Sequence, residues 1–381
     1  SSTVLLAGIC GCGGRGAANE IRIGVIAELT GDIPAVGTSC KNAAVYAVEE
    51  INAAGGLTVA GIQCPVKMIL EDNAGKADQS AATAQKLITQ QNVVAIVGPN
   101  ASRYAIPASE IAESSKVVLI TPWSTNPKTT VDARTGEPKR YVFRACYSDT
   151  FQGRVLAKFA LNGLGVRRAA ALFDIASDAN KGVADIFKET FEANGGQMVS
   201  YETYTTGDKD FSAQLTKIKN ANPDIVFLPN YYNEVPLQVQ QAHRLGLQGM
   251  PFLGNDAWSS EELLKLCGSD CDNYFFSCHY ASDTTDPTAR KFIEGYRAKY
   301  GVPPDDIAAL TYDAFGLLFV ALRDAGKTND REAVREAMAR ISEFNGVTGK
   351  MRFEGTGDPI KSTVIQQIRN GQFLWYTNAM P

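Results

Sequence analysis

Short apolar runs and amphipathic stretches alternate along this chain, and the whole alternation occurs twice. The first round reads "IRIGVIAEL" as a strand over residues 21–29, then "TSCKNAAVYAVEEINAAGG" as a helix with a Thr or Ser cap and a Gly pair at its end. It continues with strands at "VKMILED", "VVAIVGPNAS" and "VVLITPWSTNP", separated by helices at "KADQSAATAQKLITQQ" and "IPASEIAES". From Arg168 the same order returns: "RRAAALFDIA", a helix ending in "FEANGG", "MVSYETY", a helix from "DFSAQLTKIKN", "DIVFLPNYYN", another helix and "PFLGNDAWS". Such alternation demands a parallel sheet with helices on both faces, because parallel neighbours need crossovers long enough to cover them. Two rounds predict two similar Rossmann-like α/β lobes, and 381 residues with 45% hydrophobic content suffice for two full cores.

Open parallel sheets bind ligands beyond the carboxyl ends of their strands. There the first lobe offers "PNAS" and "PWSTNP", and the second offers "PNYYNE" and "GNDAWS". Ser102, Ser124 and Thr125 can donate to an anionic oxygen, supported by the N–H groups of a helix-starting loop. Across from them Asp256 can face an ammonium group, with Tyr231 supplying a ring face or a hydroxyl. The same Ser, Thr and Asp residues also suit local caps and turns. Together they suit a zwitterion.

Net charge is −4 with both signs interspersed, so neither a nucleic-acid patch nor a polybasic membrane helix is present in the sequence, and the partner expected is a small molecule. His243 and His279 are the two histidines; the first falls on an expected exposed helix face, the second near a strand between lobes, and neither has a nucleophile motif beside it. P-loop, H-E-x-x-H and G-x-S-x-G patterns do not occur. No enzyme activity, cofactor or metal is therefore expected. Six cysteines lie in the body of the chain, an even number that fits an oxidising compartment, although buried free thiols are the alternative. The expected pairs are Cys40 with Cys64, Cys267 with Cys271, and Cys146 with Cys278.

The opening "SSTVLLAGICGCGGRG" contains a G-x-G-x-x-G spacing at Gly11, Gly13 and Gly16, but a polar spacer and then a strand follow where a nucleotide site needs a helix. The small apolar residues before it read as the back half of an export signal. A Cys closing such a run resembles the lipobox of bacterial lipoproteins, which implies acylation at Cys12, a better fit than Cys10, and attachment to the membrane only through lipid.

The run from "IRIGVIAELTGDIPAVGTSCKNAAVYAVEEINAAGG" through "ILEDNAGKADQSAATAQKLI", "AIVGPNAS" and "TPWSTNP", extended by "FSAQL", "PNYYNE" and "TYDA", resembles the branched-chain amino acid binding proteins of bacterial ABC importers. The resemblance implies a type I periplasmic binding fold: two lobes joined by a three-segment hinge and closing on ligand. It implies a leader and linker at 1–20, lobe 1 at 21–144 and 280–345, and lobe 2 at 145–279 and 346–381. By position it places Ser102 and Thr125 on the ligand carboxylate with Ser124 acting through backbone, and Asp256 on the amine beside Tyr231. Three positions depart from the family pattern: Val36 stands where an aromatic is frequent, Trp123 where a small residue is usual, and Ala179 where a Tyr is common. With Trp258 these suggest a rebuilt side-chain pocket, so the ligand expected is an amino acid or related small amine, not necessarily a branched-chain one. Tyr147 and Asp149 are hinge candidates. The implied partners are a permease and ATPase complex, the chain is expected to be an extracytoplasmic monomer, and the rival role is a sensory binding protein for amides, urea or amino acids.

Overall fold

A computed structural model describes residues 19–379. Cys10, Cys12 and the glycines from Gly11 to Gly16 lie outside the described residues. The first strand, β1 (Ile21–Ala27), is buried almost throughout, and α1 (Pro34–Ala53) follows it. This helix starts ahead of the Thr or Ser expected to cap it, because Pro34 occupies its first turn, where a missing N–H costs no hydrogen bond. Gly56 follows with φ at 95°, and a Cβ there would lie 2.5 Å from the Cys64 carbonyl oxygen. A hairpin of β2 (Leu57–Val59) and β3 (Ile62–Cys64) leads to β4 (Val66–Asp72), α2 (Ala77–Thr89) and β5 (Ala95–Val97). Next come α3 (Ser102–Ser114), β6 (Val118–Thr121) and β7 (Val142–Arg144). The first sheet is parallel throughout, in the order β4-β1-β5-β6-β7, so the chain reverses its direction of growth between β1 and β5.

The second round gives α4 (Asp149–Lys158), β8 (Arg168–Asp174), α5 (Asp178–Ala193), β9 (Gln197–Tyr204) and α6 (Ser212–Ala221). It ends with β10 (Ile225–Leu228), α7 (Val235–Arg244), β11 (Phe252–Gly254), α8 (Glu261–Cys267) and β12 (Phe275–Cys278). The chain returns to the first lobe through α9 (Pro287–Tyr300), α10 (Asp306–Ala325), which packs on α1, and α11 (Arg331–Ala339). A small antiparallel sheet follows, built from β13 (Phe344–Gly346), β14 (Gly349–Phe353) and β15 (Pro359–Ile360). Last, β16 (Thr363–Arg369) adds antiparallel to β12 and β17 (Gln372–Ala379) antiparallel to β16, extending the second sheet to β17-β16-β12-β11-β10-β8-β9.

Residues 346–360, expected with the second lobe, pack on the first. Two buried charges hold them there. Asp313 of α10 accepts from the N–H groups of Val347 and Thr348 at 2.7 and 2.9 Å. Arg144, fully buried at the end of β7, donates from Nε to Asp358 Oδ1 at 2.7 Å, and its own N–H meets the Gly357 carbonyl at 2.9 Å. The last crossing therefore falls at Lys361, whose Nζ donates to the Ala145 carbonyl at 3.1 Å in the first crossing. The second crossing, at His279, stacks its imidazole on Tyr147 of the first with ring centres 3.7 Å apart.

Cys267 and Cys271 form a disulfide as expected, but Cys40, Cys64, Cys146 and Cys278 are free and buried. The other two expected pairs are thus corrected, and the thiol contacts show why: Cys64 Sγ turns to the Ile62 carbonyl, Cys146 Sγ to that of Ser124 and Cys278 Sγ to that of Tyr280. Burial pushes the Cys40 thiol up to about 12, which keeps it protonated.

Peptide mapping after alkylation in denaturant without reductant should find these four cysteines modified and, among the described residues, only Cys267 and Cys271 linked; a Cys40–Cys64 link would contradict the fold described. Arg144→Met should lower the unfolding free energy by about 3–5 kcal/mol in urea titration, because it strands Asp358 and several buried carbonyls.

Candidate functional site

The loops after β1, β5 and β6 meet where the first sheet reverses direction. The loops after β5 and β6 are each held from beneath by a charged side chain. Glu28, buried just past β1, accepts from the N–H groups of Asn100 and Ala101 at 2.9 and 3.2 Å and from Asn100 Nδ2 at 2.8 Å. Arg144 donates to the carbonyls of Ser124 and Asn126 at 2.7 and 3.0 Å, which fixes the loop carrying Thr125. Beyond the first loop α3 begins at Ser102, earlier than expected, since its interior tolerates Pro107. Its N-cap is Ala101, which has no side chain to satisfy the first turn, so a helix N-terminus opens on the cleft.

Ser102 Oγ accepts from Ser124 Oγ at 3.1 Å and from the Asn126 N–H at 3.3 Å, leaving its own proton to donate. Ser124 itself is turned inward. Its N–H goes to Thr121 Oγ1, its carbonyl to Arg144 and its hydroxyl to Ser102 and Thr129, so it supports the site without facing it.

Across the cleft, the second sheet supplies Ala179 and Asn180 from the start of α5, Tyr231 from the loop after β10, and Asn255, Asp256 and Ala257 from the loop after β11. These residues and Ala101, Ser102, Trp123 and Thr125 of the first lobe line one narrow cavity, of about 10 Å³ with the lobes as they stand. The lobes touch around it. The Trp123 and Tyr231 rings meet with centres 6.1 Å apart, and the Arg103 guanidinium lies 5.1 Å from the Tyr231 ring centre. Asn126 Nδ2 donates to the Asp178 carbonyl at 2.8 Å, Lys128 pairs with the Asp178 carboxylate at 2.7 Å, and Asn233 Nδ2 donates to the Asp32 carbonyl at 2.9 Å.

Of the residues singled out in the sequence, Ser102, Trp123, Thr125, Ala179, Tyr231 and Asp256 come together on this cavity. Val36 does not line it: the residue is buried in the core on α1. Trp258 is also packed away, its ring against Gly254 and its Nε1 donating to the Leu228 carbonyl at 3.0 Å. Asn180 and Asn255 were missed; each adjoins a residue that was chosen, Ala179 and Asp256.

Asp256 is buried, and its two oxygens are held from behind by residues at the hinge. Gln152 of α4 donates to Oδ1 at 2.8 Å, and His279 Nε2 lies 3.3 Å from Oδ2. Burial pushes the Asp256 carboxyl up to about 7 and holds His279 neutral, with its pKa well below the ordinary value. The backbone N–H of His279 donates to Asp306 at 2.8 Å. Asp149, also buried, has a carboxyl pushed up to about 8, and its N–H meets the Thr125 carbonyl at 2.8 Å. Tyr147 and Asp149 thus both sit between the site and the crossings. His243, expected on an exposed face, is instead largely covered, with Nε2 at 3.0 Å from Tyr274 Oη. The helix it belongs to packs on the turn carrying the disulfide.

A family model described as periplasmic binding protein matches residues 20–372. The Leu/Ile/Val-binding protein homolog 3 of Brucella melitensis is 32% identical over 340 residues, 89% of this chain and 88% of that protein. The leucine binding protein LivK of Thermotoga maritima superposes with a TM-score of 0.87 at 34% identity, covering 95% of this chain and 99% of that one. The branched-chain amino acid transporter substrate binding protein LivJ of Streptococcus pneumoniae, solved with isoleucine, gives 0.85 at 30% identity over 95% and 99% of the two chains. Matched along nearly all of its described length and built as two parallel-core lobes closing on one cavity, the chain belongs to the periplasmic binding protein family and has its type I fold.

Proposed function

We propose that this chain captures an amino acid in the interlobe cavity and delivers it to an ABC importer. The observation that carries the reading is the polarity of the cavity: hydroxyls and an uncapped helix N-terminus on one wall, a buried carboxylate on the other. In this reading the ligand carboxylate lies against Ser102, Thr125 and the first turn of α3, and its ammonium against Asp256 with the Tyr231 ring beside it. Relatives named for leucine, isoleucine and valine support the amino-acid class. Solute capture needs no reacting group, and none of the site residues is assigned a catalytic role.

Closure follows from the same arrangement. Ligand docks on the hydroxyl-bearing lobe, and the second lobe then adds Asp256 and Tyr231, so that contacts made only in the closed form shift the equilibrium toward it. The permease reads that closed form. We place the protein outside the cytoplasm as a monomer, held to the membrane by a lipid on Cys12; no helix among the described residues is long and apolar enough to cross a bilayer. The lobes in this reading comprise residues 21–144 with 280–360, and 145–279 with 361–379.

Asp256→Asn should keep the fold and weaken zwitterion binding about a hundredfold or more in titration calorimetry, as expected when one member of a buried charge pair is removed. Loss of less than threefold would refute the assignment. Ser102→Ala should cost less, since the helix N–H groups remain. Because Asp256 ionises at about 7, affinity in the parent should fall about tenfold per pH unit below that value. The free protein should show the linked effect: its folded-state carboxyl binds a proton more tightly than the unfolded one, so this group lowers stability as the pH rises from about 4 to about 7. Asp256→Asn should remove that part of the slope in thermal melts across the range.

A further inference from the structure

Beyond the groups assigned to the ligand's ammonium and carboxylate, the cavity wall carries polar atoms that nothing in the protein satisfies. Asn180 is 1% exposed, and neither its Oδ1 nor its Nδ2 has a hydrogen-bond partner. Trp123 is 5% exposed with Nε1 unpartnered, and Asn255 is 3% exposed with Oδ1 unpartnered. All three residues line the same cavity. Among the described residues Asn100, Gln152 and Gln238 also leave one amide atom unpartnered, but each keeps a bond through the other, whereas Asn180 makes none through either. An unsatisfied buried donor or acceptor is costly, and three such residues around one small space are what a ligand with matching groups would satisfy.

The chemistry of those atoms selects the ligand. An indole N–H only donates, an Asn oxygen only accepts, and the Asn180 amide does both whichever way its oxygen and nitrogen are assigned. The complementary group must therefore accept and donate. It must also be neutral. The sole carboxylate lining the cavity is Asp256, already committed to the ammonium, and the nearby Arg103 is engaged by Asp32. Even with the Asn255 oxygen given to the ammonium, Trp123 and Asn180 stay unpaired beside an aliphatic side chain.

The geometry points to a zwitterion whose side chain ends in a neutral hydrogen-bonding group, a hydroxyl or carboxamide, recognised by Asn180 and Trp123 in preference to a branched aliphatic chain. This rests on the amino-acid reading of the site and adds to it the identity of the side chain. It also gives Trp123 a role its size alone does not suggest, since its ring packs against Tyr231 while its buried N–H has no partner in the protein.

Titration calorimetry on the purified chain with near-isosteric pairs tests it. Asparagine should bind at least tenfold more tightly than leucine, and threonine at least tenfold more tightly than valine, because the apolar member leaves buried polar atoms unpaired. Asn180→Leu should erase most of the asparagine preference, and Trp123→Phe should reduce it while keeping the ring; a thermal melt of each variant checks that it is folded. Leucine and valine binding as tightly as their polar isosteres would overturn the inference and leave the amino-acid reading standing. If none of the four binds, and no other amino acid raises the melting temperature of the parent, the amino-acid reading itself falls, and the side-chain inference with it.

Discussion

The site exists because two charges are buried where no ligand reaches them. Glu28 and Arg144 lie beneath adjacent loops of the first sheet, one collecting N–H groups and the other carbonyls. A loop cannot be buried with its backbone unpaired, and strands running parallel leave the loops at their ends without partners of their own. A carboxylate for donors and a guanidinium for acceptors solve that problem with hydrogen bonds strengthened by charge. The consequence reaches the cavity directly: Ser102 and Thr125 sit on backbone that cannot drift. Arg144 also ties the β15 approach to this lobe through Asp358, so one side chain links the ligand loop to the segment entering the last crossing.

Much of this was legible in the chain. Alternating apolar runs and amphipathic helices are local signals, and they located β1, β4, β5 and β6 of the first sheet, β8 to β11 of the second and the loops at their carboxyl ends, but not β7, β12, β16 or β17. Loop position and side-chain chemistry agreed at Ser102, Thr125, Tyr231 and Asp256, and the fold brings all four to one cavity. What escaped was whatever depended on the tertiary neighbour. Trp258 looks like a pocket residue until Gly254 removes the Cβ that would block its ring. Val36 follows the same logic, since its place on a helix face decides that it packs inward. Asn180 lies beside Ala179 in "SDANKG", yet nothing local distinguishes a cleft amide from a cap. The extent of residues 346–360 was misread because the anchors, Asp313 and Arg144, are distant in sequence. An Arg inside "YVFRACY" and a Glu closing a buried strand were available signals of buried charges with loop partners.

The second wall works differently from the first. Asp256 is held by Gln152 and His279, and these belong to elements that enter or leave the hinge. Gln152 Nε2 also reaches Ser277 at 2.9 Å, and His279 is stacked on Tyr147. The carboxylate is therefore built into the crossings, whereas the hydroxyls opposite are built into one lobe alone. Moving the lobes must adjust the Asp256 cage, and occupying that cage must favour the arrangement of crossings that suits it. In the proposed reading this gives ligand charge a direct physical route to lobe angle, requiring no long chain of intermediaries.

The contacts that join the lobes at the rim have a further consequence. Lys128 with Asp178, Asn126 with the Asp178 carbonyl and Asn233 with the Asp32 carbonyl involve none of the residues that line the cavity. Each raises the share of molecules already shut before any encounter, and so multiplies the apparent affinity for all ligands by one common factor. Selectivity is untouched by them. Evolution acting on the rim can thus tune how long cargo is retained, and acting on the lining can tune which cargo is taken, with little interference between the two; the exposed lysine makes the first of these settings respond to ionic strength while the buried lining does not.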